Sequence, residues 1–111
     1  MPRVPAQATV DIDTPMRQTS AAYDVFVDLL DSGTDADVGA SVGYSAPYNR
    51  GKVSVYIKVR CGQTEDSVRT AGREVIRVGR DLAKEAMPTV LDDIDEYNQL
   101  VQQRTAQGSN Y

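Results

Sequence analysis

Histidine and tryptophan are absent from this 111-residue sequence, and cysteine and phenylalanine occur once each. With no imidazole and a lone thiol, Cys61, the ordinary ligand sets for zinc, haem and iron–sulfur clusters cannot be assembled, and no internal disulfide can form. A Ser or Cys nucleophile also lacks the base that usually takes its proton near neutral pH. Lys, Tyr, Asp or Glu would need strongly shifted pKa values, and a domain this small has little depth in which to produce them. The expectation is a protein that is not an enzyme and holds neither metal nor cofactor. No apolar run approaches the roughly 18 residues of a membrane span, and the N-terminus lacks the charged-then-apolar layout of a secretory signal, so the expected location is cytoplasmic, with no membrane partner.

What remains is 41% hydrophobic and 25% charged, a composition for one compact domain of this length. The formal charge of −4 conceals a division along the chain. Residues 1–49 are acidic (two Arg against seven Asp), residues 50–84 are basic (nine Lys or Arg against four acids), and residues 85–111 are acidic again (one Arg against five acids). Such a basic island attracts an anion, or lets the acidic ends dock on the basic centre or on a neighbouring copy.

Residues 1–19 contain Pro2, Pro5 and Pro15 and only one brief alternation, Ala8, Val10 and Ile12; they read as an extended arm with room for one short strand. Residues 22–30 alternate at Tyr23, Val25, Val27 and Leu29, while Phe26 and Leu30 also fit a helical stripe; their β-branched and aromatic content favours strand. A turn follows at 31–35. Ala36, Val38, Ala40, Val42 and Tyr44 share one parity of a thin strand, and Ser45 to Gly51 form a loop. The clearest strand is 52–61, with Val53, Val55, Ile57, Val59 and Cys61 facing one way and Lys52, Ser54, Tyr56, Lys58 and Arg60 the other. After Gly62, Thr64 is placed to cap a helix with Glu65 and Asp66 in its first turn, and the helical pattern persists to Met87. Its apolar stripe is Val68, Ala71, Val75, Val78, Leu82 and Ala86, with Gly72 and Gly79 on the flank, where a close packing contact offsets their helix cost. Pro88 is expected to begin or kink a second helical segment carrying Val90, Leu91, Ile94, Tyr97, Leu100 and Val101, before a polar tail, 102–111. The fold expected is α+β: a two- to three-stranded antiparallel meander packed on a long helix, with a second helix and an N-terminal arm, the domain proper spanning 20–101.

Two constellations point to binding. Arg69, Arg73, Arg77, Arg80 and Lys84 recur at three- and four-residue spacing, which gathers them into a ridge about 80° wide opposite the apolar stripe. Their planar donor forks suit phosphate or carboxylate oxygens; the competing reading is a solvated face partly neutralised by Glu65–Arg69 and Arg77–Asp81 pairs. The polar strand face adds Lys52, Tyr56, Lys58 and Arg60, and the loop before it adds Tyr48 and Arg50, interleaving cations with aromatics as single-stranded nucleic-acid platforms do. Gly39, Ser41 and Gly43 leave that face low; solvent or the acidic arm would cover it otherwise.

Other clusters have plainer explanations. Asp31, Asp35 and Asp37 lack the glycine position and terminal Glu of a calcium loop. Asp92, Asp93, Asp95 and Glu96 suit a helix start after Pro88 without any magnesium. Ser54 and Lys58 lie about 13 Å apart on one strand, too far for a dyad. Cys61 shares the core parity. No phosphate loop, dinucleotide fingerprint or nucleophile elbow occurs. The expected function is a self-associating, non-enzymatic binder of single-stranded nucleic acid; the alternative is a structural or inhibitory assembly module whose basic centre docks acidic surfaces. A core of Val, Ala and Gly buries little area per residue, which favours homo-oligomers.

Overall fold

In the computed structural model, which describes residues 1–108, four antiparallel strands form one sheet and a single helix crosses one of its faces. The strands are β1 (Arg3–Thr14), β2 (Arg17–Asp28), β3 (Ala36–Ser45) and β4 (Lys52–Cys61), in the spatial order β2-β1-β4-β3; the helix α1 spans Glu65–Gly108. Strict alternation makes β4 the spine. Val53, Val55 and Ile57 are fully buried under the helix, and the even-numbered residues point to the opposite, uncovered face.

The N-terminal segment is not an arm. Its even residues from Val4 to Thr14 continue the alternation around Ala8, Val10 and Ile12, and β1 inserts between β2 and β4, pairing Gln7 with Lys58 and Ala8 with Ile57. The prolines do not prevent this, because the β1–β4 ladder begins at Gln7, beyond Pro5, and Pro15 lies in the turn between β1 and β2. The sheet therefore has four strands rather than two or three, and the 22–30 segment, strand as far as Asp28, belongs to β2 at the far edge.

The expected second helix is a continuation of the first, and the helix runs on through the tail as far as Gly108; residues 109–111 of that tail lie outside the described residues. Pro88 removes one backbone donor, but Val90 and Ile94 beyond it are buried against the sheet's lower end, which holds the helical path together. Forty-four residues at about 1.5 Å each approach the 70 Å long axis of the molecule, so the last turns project past the sheet. Among the described residues, no helix is long and apolar enough to cross a membrane.

Ser67, Ala71, Val75, Gly79 and Ala83 form the buried seam of α1; of the predicted stripe, Ala71 and Val75 lie in it, Val78, Leu82 and Ala86 pack half-buried beside it, and Val68 is exposed. The small residues let the helix lie close. A Cβ on Gly79 would stand 3.1 Å from Val42, so a side chain there would have to push β3 back by a few tenths of an ångström. Gly72 has no such neighbour: a Cβ there would meet nothing within 4 Å. Gly72→Ala is accordingly expected to raise the unfolding free energy by about 1 kcal/mol, while Gly79→Ala gives no gain. Denaturation midpoints at unchanged slope check both.

Candidate functional site

The eleven residues that sequence reasoning grouped for binding fall into three separate places. Lys52, Tyr56, Lys58 and Arg60 point from β4 to the uncovered sheet face, as expected. Arg69, Arg73, Arg77, Arg80 and Lys84 lie exposed on α1, on the other side of the sheet. The strand and the helix bury their apolar sides against each other, so their polar sides must face apart. No single straight strand of ligand touches both. Tyr48 and Arg50 form the third group, at the loop leading into β4.

Several cations are already engaged. Asp37 sits between Lys58 at 3.6 Å and Arg60 at 3.5 Å. Arg69 pairs with Glu65; Arg77 meets Glu74 at 2.9 Å and Asp81 at 3.6 Å. The Arg77 guanidinium, with burial opposing it, holds the Glu74 carboxyl below the usual range. Arg73, Arg80, Lys84 and Lys52 make no ion pair among the described residues. The exposed pairs among these, of Asp37, Glu65 and Asp81, contribute about 0–1 kcal/mol each, so their cations can be exchanged to another partner, whereas Glu74 is largely buried and also holds the Asp28 N–H.

The uncovered face is also less basic than β4 alone implies. The register brings Asp11 opposite Ser54, Asp13 opposite Lys52, and Asp24 beside Gln7. With Asp28 and Asp37, these acids outnumber Arg3, Lys52, Lys58 and Arg60. The hydroxyl end of Tyr56 lies over Gly39: a Cβ on that glycine would fall 2.8 Å from the tyrosine hydroxyl. That end of the ring thus rests on β3, and the residue is 48% exposed. Where the β1–β4 ladder ends, a cleft of about 530 Å³ opens among Pro5, Gln7, Leu29, Lys58 and Arg60.

Tyr48 is 91% exposed with φ 62°, and Asn49 follows at φ 54°. Non-glycine residues in this left-handed region cost about 1–2 kcal/mol. Arg50 lies 5.9 Å from the Tyr48 ring centre and donates to Asn98 Oδ1 at 3.2 Å, which ties the loop to the projecting helix rather than to Tyr56.

The acidic turn at 31–35 has a structural task. The Ser67 hydroxyl donates to Asp31, the Gly33 N–H donates to it at 2.9 Å, and Thr64 Oγ1 accepts the Ser67 N–H at 3.2 Å, closing the helix start. These donors, Ser67 first and Gly33 next, hold the Asp31 carboxyl below its ordinary value. Gly62 is needed there because a Cβ would fall 2.6 Å from Asp31 Oδ1. Cys61 is buried, and burial first, then Asp31 and Asp37, pushes its thiol pKa up, away from the reactive thiolate. Among the described residues no cluster of three or more His, Cys, Asp or Glu is placed to hold a metal ion.

One interaction was not anticipated. Asp93, 3% exposed, accepts from Arg17 Nε at 2.6 Å and Nη2 at 2.9 Å and from Thr14 Oγ1 at 2.8 Å, pinning the β1–β2 turn to the helix. The fold and these surfaces define a two-layer α+β protein with one open sheet face and an exposed cationic helix. The chain matches no protein-family model, no curated protein and no solved structure.

Proposed function

We propose that this chain is a non-enzymatic module whose work is assembly with copies of itself. The observation that carries this reading is that the molecule displays both halves of an ionic contact on separate surfaces. Arg73, Arg80 and Lys84 stand without carboxylate partners on α1, while Asp11 and Asp24 are exposed on the open sheet face and Glu85, Asp92 and Asp95 on other parts of the helix. Complementary patches that do not meet within one copy can meet between copies. Large apolar side chains also face solvent, among them Phe26 at 60% and Tyr23 at 50% exposure. Size-exclusion chromatography with light scattering is expected to show a mass that rises with protein concentration and falls as salt screens the contacts. A strictly monomeric chain at its highest soluble concentration would overturn the reading.

A second reading, binding of single-stranded nucleic acid, is favoured by the grouping of Arg73, Arg80 and Lys84 on α1 without ion pairs. If Arg73, Arg80 and Lys84 hold phosphates, replacing all three with Ala should flatten the slope of log affinity against log salt by about 2, at about 0.7 per lost contact. An unchanged slope with a mixed-sequence oligonucleotide would remove it.

A further inference from the structure

Resting on the assembly reading, we infer that copies join head to tail, with β3 of one copy pairing with β2 of the next to continue one antiparallel sheet. Both outer strands present unpaired backbone. On β2, Leu29 N–H bonds inward to the Pro2 carbonyl while Asp28 N–H turns outward to Glu74 at 3.0 Å. Alternation then aims the backbone groups of Gln18, Ser20, Ala22, Asp24 and Phe26 away from β1. On β3, Ala46 N–H bonds inward to the Gly51 carbonyl, so Asp37, Gly39, Ser41, Gly43 and Ser45 face outward. Neither strand contains proline, and both ladders run in unbroken register. Proline, bulges and lysine, three of the devices that blunt an edge, are missing from both, and the charges present are Arg17, Asp24 and Asp28 on β2 and Asp37 on β3.

Direction and parity agree. β2 and β4 run one way and β1 and β3 the other, so placing β2 of a second copy beside β3, with both helices on the same face, gives an antiparallel pair. One lateral row of the sheet reads Gly39, Lys58, Gln7, Asp24. Continuing that row sets the neighbour's Asp24 beside Gly39 and its Ala22 beside Ser41. Outward backbone groups then meet outward groups, and all these side chains stay on the open face.

Charge selects this arrangement over symmetric ones. At 100° per residue, Glu74, Leu82, Glu85 and Thr89 lie on the flank of α1 facing β2, where Leu82, Glu85 and Thr89 wall a groove with Val10 and Tyr23. Arg69, Arg73, Ile76 and Arg80 occupy the flank about 170° away, over the β3 edge. Pairing β3 with β3 would set two arginine flanks against each other. Pairing β3 with β2 sets Arg73 and Arg80 toward the neighbour's Glu85, and Ile76 toward its Tyr23. Such a contact is heterologous, and it propagates as a ring or a filament.

The test uses two variants of the full chain. Ser41→Pro removes an outward donor of β3 and Ala22→Pro one of β2, and neither donor serves the internal ladder; circular dichroism checks that each folds, with Ser41→Lys and Ala22→Lys as replacements if a proline costs the fold. Each variant alone is expected to be monomeric. Their equimolar mixture is expected to give a species of twice the monomer mass and nothing larger, because each supplies the edge the other lacks. Either variant retaining the wild-type mass, or a mixture that stays monomeric, would overturn head-to-tail pairing while leaving assembly by another surface standing. A wild-type chain that never exceeds the monomer mass would overturn both.

Discussion

Asp93→Ala is expected to lower the unfolding free energy by about 3 kcal/mol, the low end of the cost of breaking a buried ion pair. The carboxylate takes two charge-assisted N–H bonds and one O–H bond in a site where its side chain is 4% exposed. Removing it leaves Arg17, whose side chain is 45% exposed and regains water, which is why the higher end of the range is not expected. Thr14 keeps its role as acceptor for the Met16 and Arg17 N–H groups, at 3.1 Å each, so the turn itself survives while its anchor to the helix is lost. Chemical denaturation at neutral pH measures the difference.

The same pair predicts a pH dependence. Arg17 first, and then Thr14, hold the Asp93 carboxyl below its ordinary value, against the opposing effect of burial. A carboxyl with a depressed folded-state pKa contributes stability that is fully present above the unfolded value, about 3.9, and that is lost as pH falls through the folded value. Asp31 and Glu74 shift in the same direction, so the wild type should lose stability on acidification below about pH 4. The gap between wild type and Asp93→Ala should narrow over that window. A gap of constant size from pH 7 to pH 2 would show that Asp93 acts by packing rather than by charge.

Asp93 also shows why part of the molecule was legible and part was not. Local pattern sufficed where each residue declares its own face. The alternation from Lys52 to Cys61 identified β4 and its exposed cations, Thr64 marked the helix start, and the three- and four-residue spacing of the arginines defined a real exposed ridge. What depends on distant pairing was not legible. Nothing local in residues 3–14 announces that they occupy the middle of the sheet, between β2 and β4. Because they do, Asp11 and Asp13 interleave with Lys52 and Ser54, and the face that looked basic from β4 alone is mixed. The separation of strand cations from helix cations, in contrast, was available from pattern: two elements whose apolar sides share a core must turn their polar sides apart. Arg17 and Asp93 stand 76 residues apart, and no periodicity links them.

Pro88→Ala carries the largest expected gain. Pro88 is inside α1, exposed, and without the N–H that would bond the carbonyl of Lys84. An interior proline costs a helix about 3 kcal/mol relative to alanine. Proline also stiffens the unfolded chain, and losing that restraint returns about 0.4–1 kcal/mol. The net expectation is about 2 kcal/mol of added stability, seen as a rise of roughly 10 °C in Tm for a domain of this size. No burial is lost, since the ring faces solvent. The opposing consideration is the contact just beyond it: Val90 is fully buried against Gly51, where a Cβ would fall 2.8 Å from its Cγ1. Displacing Val90 would forfeit about 1.5–3 kcal/mol of burial, enough to cancel the helical gain. A fall in Tm for Pro88→Ala would therefore mean that the interruption at Pro88 is what seats Val90 on Gly51, and the proline would then be a part of the core rather than a cost to the helix.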